Sequence, residues 1–134
     1  MGRVVVGVDG SRASMAALRW AVEEARRRGA VLETVHVFEN SPVWRLSVQQ
    51  QRSDEPVEHF GDVEVDAVMV ESRHPERVLV ERSEGADMLV VGSRGLGDVS
   101  QMLLGSVSHH CAVHAHCPLV IIHSQPSDDP RSTS

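Results

Sequence analysis

The stretch that decides the fold reads Asp87-Met-Leu-Val-Val-Gly-Ser-Arg-Gly-Leu-Gly-Asp98. Its first half is an apolar run of strand length, bounded by an acid and a glycine. A glycine-rich loop follows, and Gly105-Ser106-Val107 then opens a helical pattern that reaches about Ala115. A buried strand that passes through such a loop into a helix is typical of an α/β protein.

Four other segments have the pattern of strands. Val4–Val8, Val31–Phe38 and Pro118–His123 are nearly continuous apolar runs, as in parallel sheets that are covered on both faces. Val63–Glu71 instead alternates apolar residues with acids. This alternation predicts a strand closer to a sheet edge, with its apolar face on the odd-numbered residues 63 to 69.

The first crossover is predicted to be a helix over Ser14–Arg28. Its apolar stripe is formed by Ala17, Trp20, Ala21 and Ala25. On the outer face, two Glu–Arg pairs at positions i and i+4 stabilise the helix, namely Glu23 with Arg27 and Glu24 with Arg28. Gly29 supplies the left-handed residue that ends it.

The later crossovers have less regular helical patterns. A second helix is expected from about Pro75 to Gly85, with Val78 and Leu79 facing inward. The crossover Glu39–Asp62 is short and broken near Pro56, with about three helical turns over Val43–Arg52. Residues 124–134 are rich in Ser, Asp and Pro, so we expect a disordered tail after a single domain at residues 1–123.

Strands that alternate with helices predict a doubly wound, open parallel sheet with helices on both faces and a shortened second crossover. In such sheets a ligand binds beyond the carboxyl ends of the strands, where the strand order reverses. Any site should therefore lie just after the first strand and the fourth strand.

Composition excludes several classes of function. The 134 residues suffice for about one domain, and all 13 basic residues are arginine. Without lysine, a Walker A loop, a Schiff-base enzyme and a protein kinase are excluded. The net charge of −6 disfavours nucleic acid and anionic membranes as partners. Two cysteines, no signal-peptide pattern and no apolar run of about 20 residues predict a cytoplasmic protein.

The glycine segment has the spacing G-x2-G-x9-G-[ST], formed by Gly92, Gly95, Gly105 and Ser106. Glycines allow backbone amides to face a ligand, and the helix start adds unpaired amides, so a polyphosphate suits this loop. Arg94 adds a permanent positive charge. After the first strand, Asp9 is suited to ribose hydroxyls or a divalent cation, although Asp9 or Ser11 equally suits a helix cap.

These segments together resemble the universal stress protein family, over about residues 3 to 123, and specifically its ATP-binding branch. The resemblance rests on five segments: Val8-Asp9-Gly10-Ser11, the strand ending His36-Val37, the block from Gly85 to Gly95, Leu104-Gly105-Ser106-Val107-Ser108 and His114-Ala-His-Cys-Pro118. It implies the strand order 3-2-1-4-5 and a homodimer through the last strand, Pro118–His123. A paired strand there would also protect an apolar sheet edge.

The resemblance also implies which residues bind the nucleotide. Asp9 would contact the ribose or a Mg²⁺ ion, and the backbone of Val37 would meet the adenine. Backbone amides of the two glycine segments would hold the phosphates. The full set of expected binding residues is Gly7, Val8, Asp9, Val37, Gly92, Arg94, Gly95, Gly97, Gly105, Ser106 and Val107.

Three functions follow from this set. The first is a module that binds ATP, or AMP, and regulates a stress response. The second is a nucleotide-free dimeric adaptor whose pocket is closed because the second crossover is short. The third is a slow ATPase or autokinase. No residue is an evident general base that would activate water. We therefore expect a binding module rather than an efficient catalyst, and we assign no catalytic residue.

The segment from His109 to Cys117 is dense in potential metal ligands. His110 and His114, at positions i and i+4, would share a helix face. The segment has no C-x2-C pairing of the zinc type, and the resemblance implies no metal there. The sequence therefore favours solvated or capping histidines, and no metal site is predicted.

Overall fold

The computed structural model describes residues 2–39, 61–95 and 104–123. The elements along the chain are β1 (Arg3–Gly7), α1 (Arg12–Arg28), β2 (Val31–Phe38), β3 (Val65–Glu71), α2 (Pro75–Ser83), β4 (Met88–Gly92), α3 (Ser106–His114) and β5 (Leu119–Ile122). Residues 40–60 of the second crossover, the tail at residues 124–134 and Gly97 lie outside the described residues. Among the described helices, none combines the length and the apolarity needed to cross a membrane.

The five strands form one parallel sheet in the order β3-β2-β1-β4-β5. The predicted fold class and strand order are confirmed. The order runs outward from β1 in both directions, so the strand order reverses between β1 and β4. A ligand site at the carboxyl ends of these two strands is the arrangement that the topology favours.

Alternate residues of the central strands pack into two cores, one on each face of the sheet. On one face, Val4 and Val6 of β1 pack with the alanine-rich side of α1. On the other face, Val5 packs with Leu79 of α2 and Cys111 of α3. Because β1 and β4 are covered on both faces, their sequences are almost continuously apolar.

Helix α1 ends as the sequence predicts, at Gly29 with φ of 63°. Two expectations for its faces are wrong. Trp20, which was assigned to the apolar stripe, is 36% exposed, and the buried stripe consists mainly of alanines together with Leu18 and Val22. The predicted Glu24–Arg28 pair is confirmed, but Glu24 is buried rather than on the outer face, and Glu23 pairs with Arg26 instead of Arg27.

Strand β3 lies at a sheet edge, as predicted. The alternation is right for Val63 and Val65, which pack against the core under α1, but wrong further along the strand. Ala67 and Met69 are exposed, whereas Val68 and Val70 pack against the core under α2 and α3. An edge strand has few neighbours, so which of its two faces is covered depends on where the helices lie.

Candidate functional site

A cavity of about 130 Å³ lies at the carboxyl ends of the central strands. The lining residues come from β1, α1, β2, α2, β4 and α3, from the loops that follow β1 and β4, and from the residue just before α3. They are Gly7, Val8, Asp9, Ser14, Val35, Val37, Pro75, Leu79, Val91, Gly92, Arg94, Gly95, Gly105, Val107 and Ser108. The structure thus brings together segments that are separated by up to a hundred residues.

Nine of the residues predicted from the sequence line this one cavity: Gly7, Val8, Asp9, Val37, Gly92, Arg94, Gly95, Gly105 and Val107. Ser106 is exposed at the first position of α3, beside the cavity but not in its lining. Gly97 lies outside the described residues. Nine of the eleven residues therefore lie together at one cavity, and their role in binding stays a prediction.

Apolar side chains from β2 and α2 line one side of the cavity, which we call the apolar slot. Val35 and Val37 come from the same face of β2, and Leu79 and Pro75 come from the first turns of α2. Val35 and Leu79 are almost fully buried. A slot of this kind suits a flat, uncharged ring, because burying apolar surface on both sides of the ring is favourable.

The loop after β1 is held by side-chain caps. Asp9 Oδ1 accepts a hydrogen bond of 2.8 Å from the Ser11 backbone N–H, and Ser11 Oγ accepts one of 3.2 Å from the Ser14 N–H. Ser11 is therefore the N-cap of α1. Asp9 remains exposed and in the cavity lining, so its carboxylate shapes the turn while also facing the site.

Gly92 is required by packing, not only by its place in the glycine segment. A Cβ atom at Gly92 would lie 2.6 Å from the carbonyl carbon of Ala13 and 2.8 Å from the backbone N of Ser14. The first turn of α1 therefore approaches the end of β4 as closely as a glycine allows. In the same region Ser11 Oγ donates a hydrogen bond of 3.4 Å to the carbonyl oxygen of Arg94.

The start of α3 is arranged differently from that of α1. The Gly105 N–H donates a hydrogen bond of 2.6 Å to the carbonyl oxygen of Ser93, so this amide is already used within the fold. Ser108 Oγ donates to the same oxygen at 2.8 Å. The N-cap Gly105 has no side chain to accept from the first-turn amides of Ser106 and Val107. These amides form the positive end of the helix at the cavity.

Comparison with known proteins decides the family. The Universal stress protein family profile matches residues 1–123. The chain belongs to the universal stress protein family. A universal stress protein of Mycobacterium tuberculosis is 38% identical over 131 residues, which cover 88% of this chain and 44% of that protein. This chain spans about half the length of the curated relatives it matches.

Solved universal stress proteins share the fold. A universal stress protein in complex with cAMP is 28% identical, with a TM-score of 0.71, and the match covers 92% of this chain and 98% of that one. UspA from Lactobacillus plantarum superimposes with a TM-score of 0.77 at 18% identity, over 90% of this chain and 97% of that one. Because its sequence identity is low, the similarity to UspA is evidence for the fold alone.

Six lining residues of this universal stress protein were not expected from the sequence: Ser14, Val35, Pro75, Leu79, Val91 and Ser108. One of them, Val35, had a usable signal. Val35 lies two positions before Val37 and therefore shares its face of the strand. Pro75 and Leu79 stand four positions apart, at the spacing of one helix face, but only the tertiary structure shows that this face reaches the cavity.

The cysteines of the universal stress protein domain are both free. Cys111 is fully buried under the cavity wall, and burial, together with the Glu76 carboxylate, raises the pKa of its thiol to about 11. Burial also raises the pKa of the half-buried Cys117 thiol. Neither thiol is therefore activated as a nucleophile.

Proposed function

We propose that this universal stress protein binds an adenine nucleotide, with ATP as the main ligand and AMP as the alternative, and acts as a regulatory module in a stress response. One observation carries the proposal. The apolar slot, the Asp9 carboxylate and the uncapped start of α3 line the same cavity. A nucleotide has a flat base, a sugar with hydroxyls and an anionic phosphate chain, and it needs these three surfaces in one place.

The base would lie in the apolar slot between β2 and α2. Val35 and Leu79 offer buried apolar surface, and Val37 at the carboxyl end of β2 offers backbone groups to the ring edge. The 28% identical universal stress protein in complex with cAMP supports an adenine ring as the occupant. Asp9 would accept hydrogen bonds from the ribose hydroxyls, or hold Mg²⁺ that accompanies the phosphates.

The phosphates would lie at the start of α3. The N-cap Gly105 offers the first-turn amides of Ser106 and Val107 no capping side chain, and the positive end of the helix favours an anion. Gly95 and Arg94 line the same cavity from the loop after β4. Because the Gly105 N–H donates to Ser93, we assign Gly105 the role of a small residue that leaves room for the ligand.

A second candidate, the nucleotide-free dimeric adaptor, is favoured by the size of the cavity. The volume of about 130 Å³ is below the roughly 300–1,000 Å³ that is usual for pockets that bind small molecules. ATP would therefore require the cavity walls to move apart. In either function we propose a homodimer through β5, since this strand is an edge of the sheet and all four of its residues are partly exposed.

The decisive test combines native mass spectrometry with a thermal-shift titration of ATP. We expect co-purified adenine nucleotide, or a melting temperature that rises with ATP concentration as the ligand binds the native state. The variant Gly105→Leu should abolish both signals. The backbone of Gly105 has φ of −75° and ψ of 172°, which any residue can adopt, so the added side chain acts by filling the cavity.

The matched control is Ala112→Leu, which adds the same side chain to an exposed position of the same helix. It should bind ATP like the wild type. An empty wild-type protein with no thermal shift at millimolar ATP would support the adaptor instead. Steady release of phosphate that stops in Asp9→Asn would indicate the slow ATPase; the asparagine still has a carbonyl oxygen to accept from the Ser11 N–H.

A further inference from the structure

Two histidine rings lie side by side on α3, away from the nucleotide cavity. The ring centroids of His110 and His114 are 4.4 Å apart, and the ring planes are tilted by 41°. His110 is half-buried and His114 is exposed, so solvent and dissolved ions reach the pair. The proximity that the i, i+4 spacing permits is therefore realised in the structure.

We propose that His110 and His114 together chelate a divalent transition-metal cation of the zinc type. Imidazole nitrogens bind Zn²⁺ at about 2.0–2.1 Å, so two of them at tetrahedral positions lie roughly 3.4 Å apart. The ring centroids are 4.4 Å apart, so the two side chains are close enough for one nitrogen of each ring to bind the same ion once the rings rotate. Imidazole pairs suit Zn²⁺, Cu²⁺ and Ni²⁺, whereas Mg²⁺ and Ca²⁺ prefer oxygen ligands.

The surroundings of the pair favour a cation. His114 is the last residue of α3, and the carbonyl end of a helix stabilises positive charge. The whole chain carries a net charge of −6 with neutral histidines, which adds a long-range attraction.

The site has two protein ligands. Within residues 2–39, 61–95 and 104–123, no group of three or more His, Cys, Asp or Glu side chains could hold a metal ion. The thiol of Cys111, next to His110 in the sequence, is fully buried and packs into the core between α3 and the sheet, away from the exposed pair. Water would therefore fill the remaining positions of the ion, and the affinity depends on the two rings acting together.

The test is calorimetric titration of the full chain, first stripped with EDTA, with ZnCl2. We expect one ion per chain. His110→Gln and His114→Gln should each lower the affinity at least about tenfold, because either change converts a chelate into a single contact. The double variant should lose less affinity than the product of the two single losses, since either change alone already breaks the chelate.

His109→Gln is the matched control, because His109 is exposed on the same helix but about 100° around its axis from His110. It should bind Zn²⁺ like the wild type, and far-ultraviolet circular dichroism should show that all variants are folded. Unchanged Zn²⁺ affinity in His110→Gln and His114→Gln would overturn the proposal. So would equal losses in all three single variants, which would indicate independent surface histidines.

Discussion

The guanidinium of Arg82 holds the buried carboxylate of Glu33 through two hydrogen bonds, from Nε to Oε2 at 2.9 Å and from Nη2 to Oε1 at 2.6 Å. Arg3 approaches the same carboxylate at 3.2 Å. Glu33 thus ties α2 to β1 and β2. Since α2 contributes Pro75 and Leu79 to the cavity, this ion pair also fixes one wall of the candidate nucleotide site.

Replacing Glu33 with Gln should destabilise the protein by about 1–2 kcal/mol. The variant leaves two guanidiniums beside a neutral amide, but both are partly exposed, so the loss is smaller than the ~3–5 kcal/mol for a fully buried pair. Urea unfolding should show a lower midpoint with an unchanged slope. Glu81→Gln, an exposed change on the same helix, should leave the midpoint within error; an equal shift in both variants would contradict this role of Glu33.

The stabilisation by Glu33 should depend on pH. Burial alone would raise the pKa of this carboxyl, but Arg82 and Arg3 outweigh it and hold the pKa below its ordinary value of 4.5. The folded protein therefore binds the proton less tightly than the unfolded chain, and the stabilisation is complete above pH 4.5 and is lost as the pH falls below it. The difference in unfolding free energy between wild type and Glu33→Gln should be constant from pH 6 to 7 and shrink below pH 4.5. The pKa of Glu24 is also lowered, chiefly by Arg28. Because Glu24 is present in both proteins, its contribution cancels in this difference.

Gly92→Ala should be more damaging than Gly7→Ala, although both glycines line the cavity. At Gly92 the new Cβ would meet the backbone of Ala13 at 2.6 Å, whereas at Gly7 it would meet the Leu79 side chain, at 2.9 Å from Cδ1. A side-chain end can rotate away and a helix backbone cannot, so we expect a loss of about 1–3 kcal/mol for Gly92→Ala and clearly less for Gly7→Ala. Urea unfolding measures both. The opposite order would show that α1 does not pack against β4 as described.

Arg94→Gln should weaken ATP binding by about tenfold and leave adenosine binding unchanged. The change removes a permanent charge from the cavity lining, and a hydrogen bond to a charged group contributes about 1.5–3 kcal/mol. Calorimetry with both ligands separates the phosphate contribution from that of the base. Arg77→Gln is an equal change of charge at an exposed position of α2, so it should have little effect on either ligand. Equal weakening of ATP and adenosine would exclude a phosphate contact by Arg94.

Local sequence patterns predict most of the elements, because the causes of these elements are local. Gly29 ends α1 through its left-handed backbone, and Pro75 stands at the first position of α2. The glycine segment after β4 also indicated the end of the sheet at which the cavity lies. Such patterns did not predict the burial of Trp20 or of the β3 side chains. Whether a residue near the surface is buried depends on elements that are distant in the chain.

The sequence by itself determined the parallel α/β fold and the end of the sheet at which the candidate site lies, since strand length, apolar runs and glycine spacing are properties of neighbouring residues. Only the tertiary structure decided that the Gly105 amide is taken by Ser93, that Gly92 is held against Ala13, and that Glu33 is buried between two arginines. These contacts join segments that are 12 to 79 residues apart in the chain, and each depends on how the helices pack on the sheet, which no local pattern encodes.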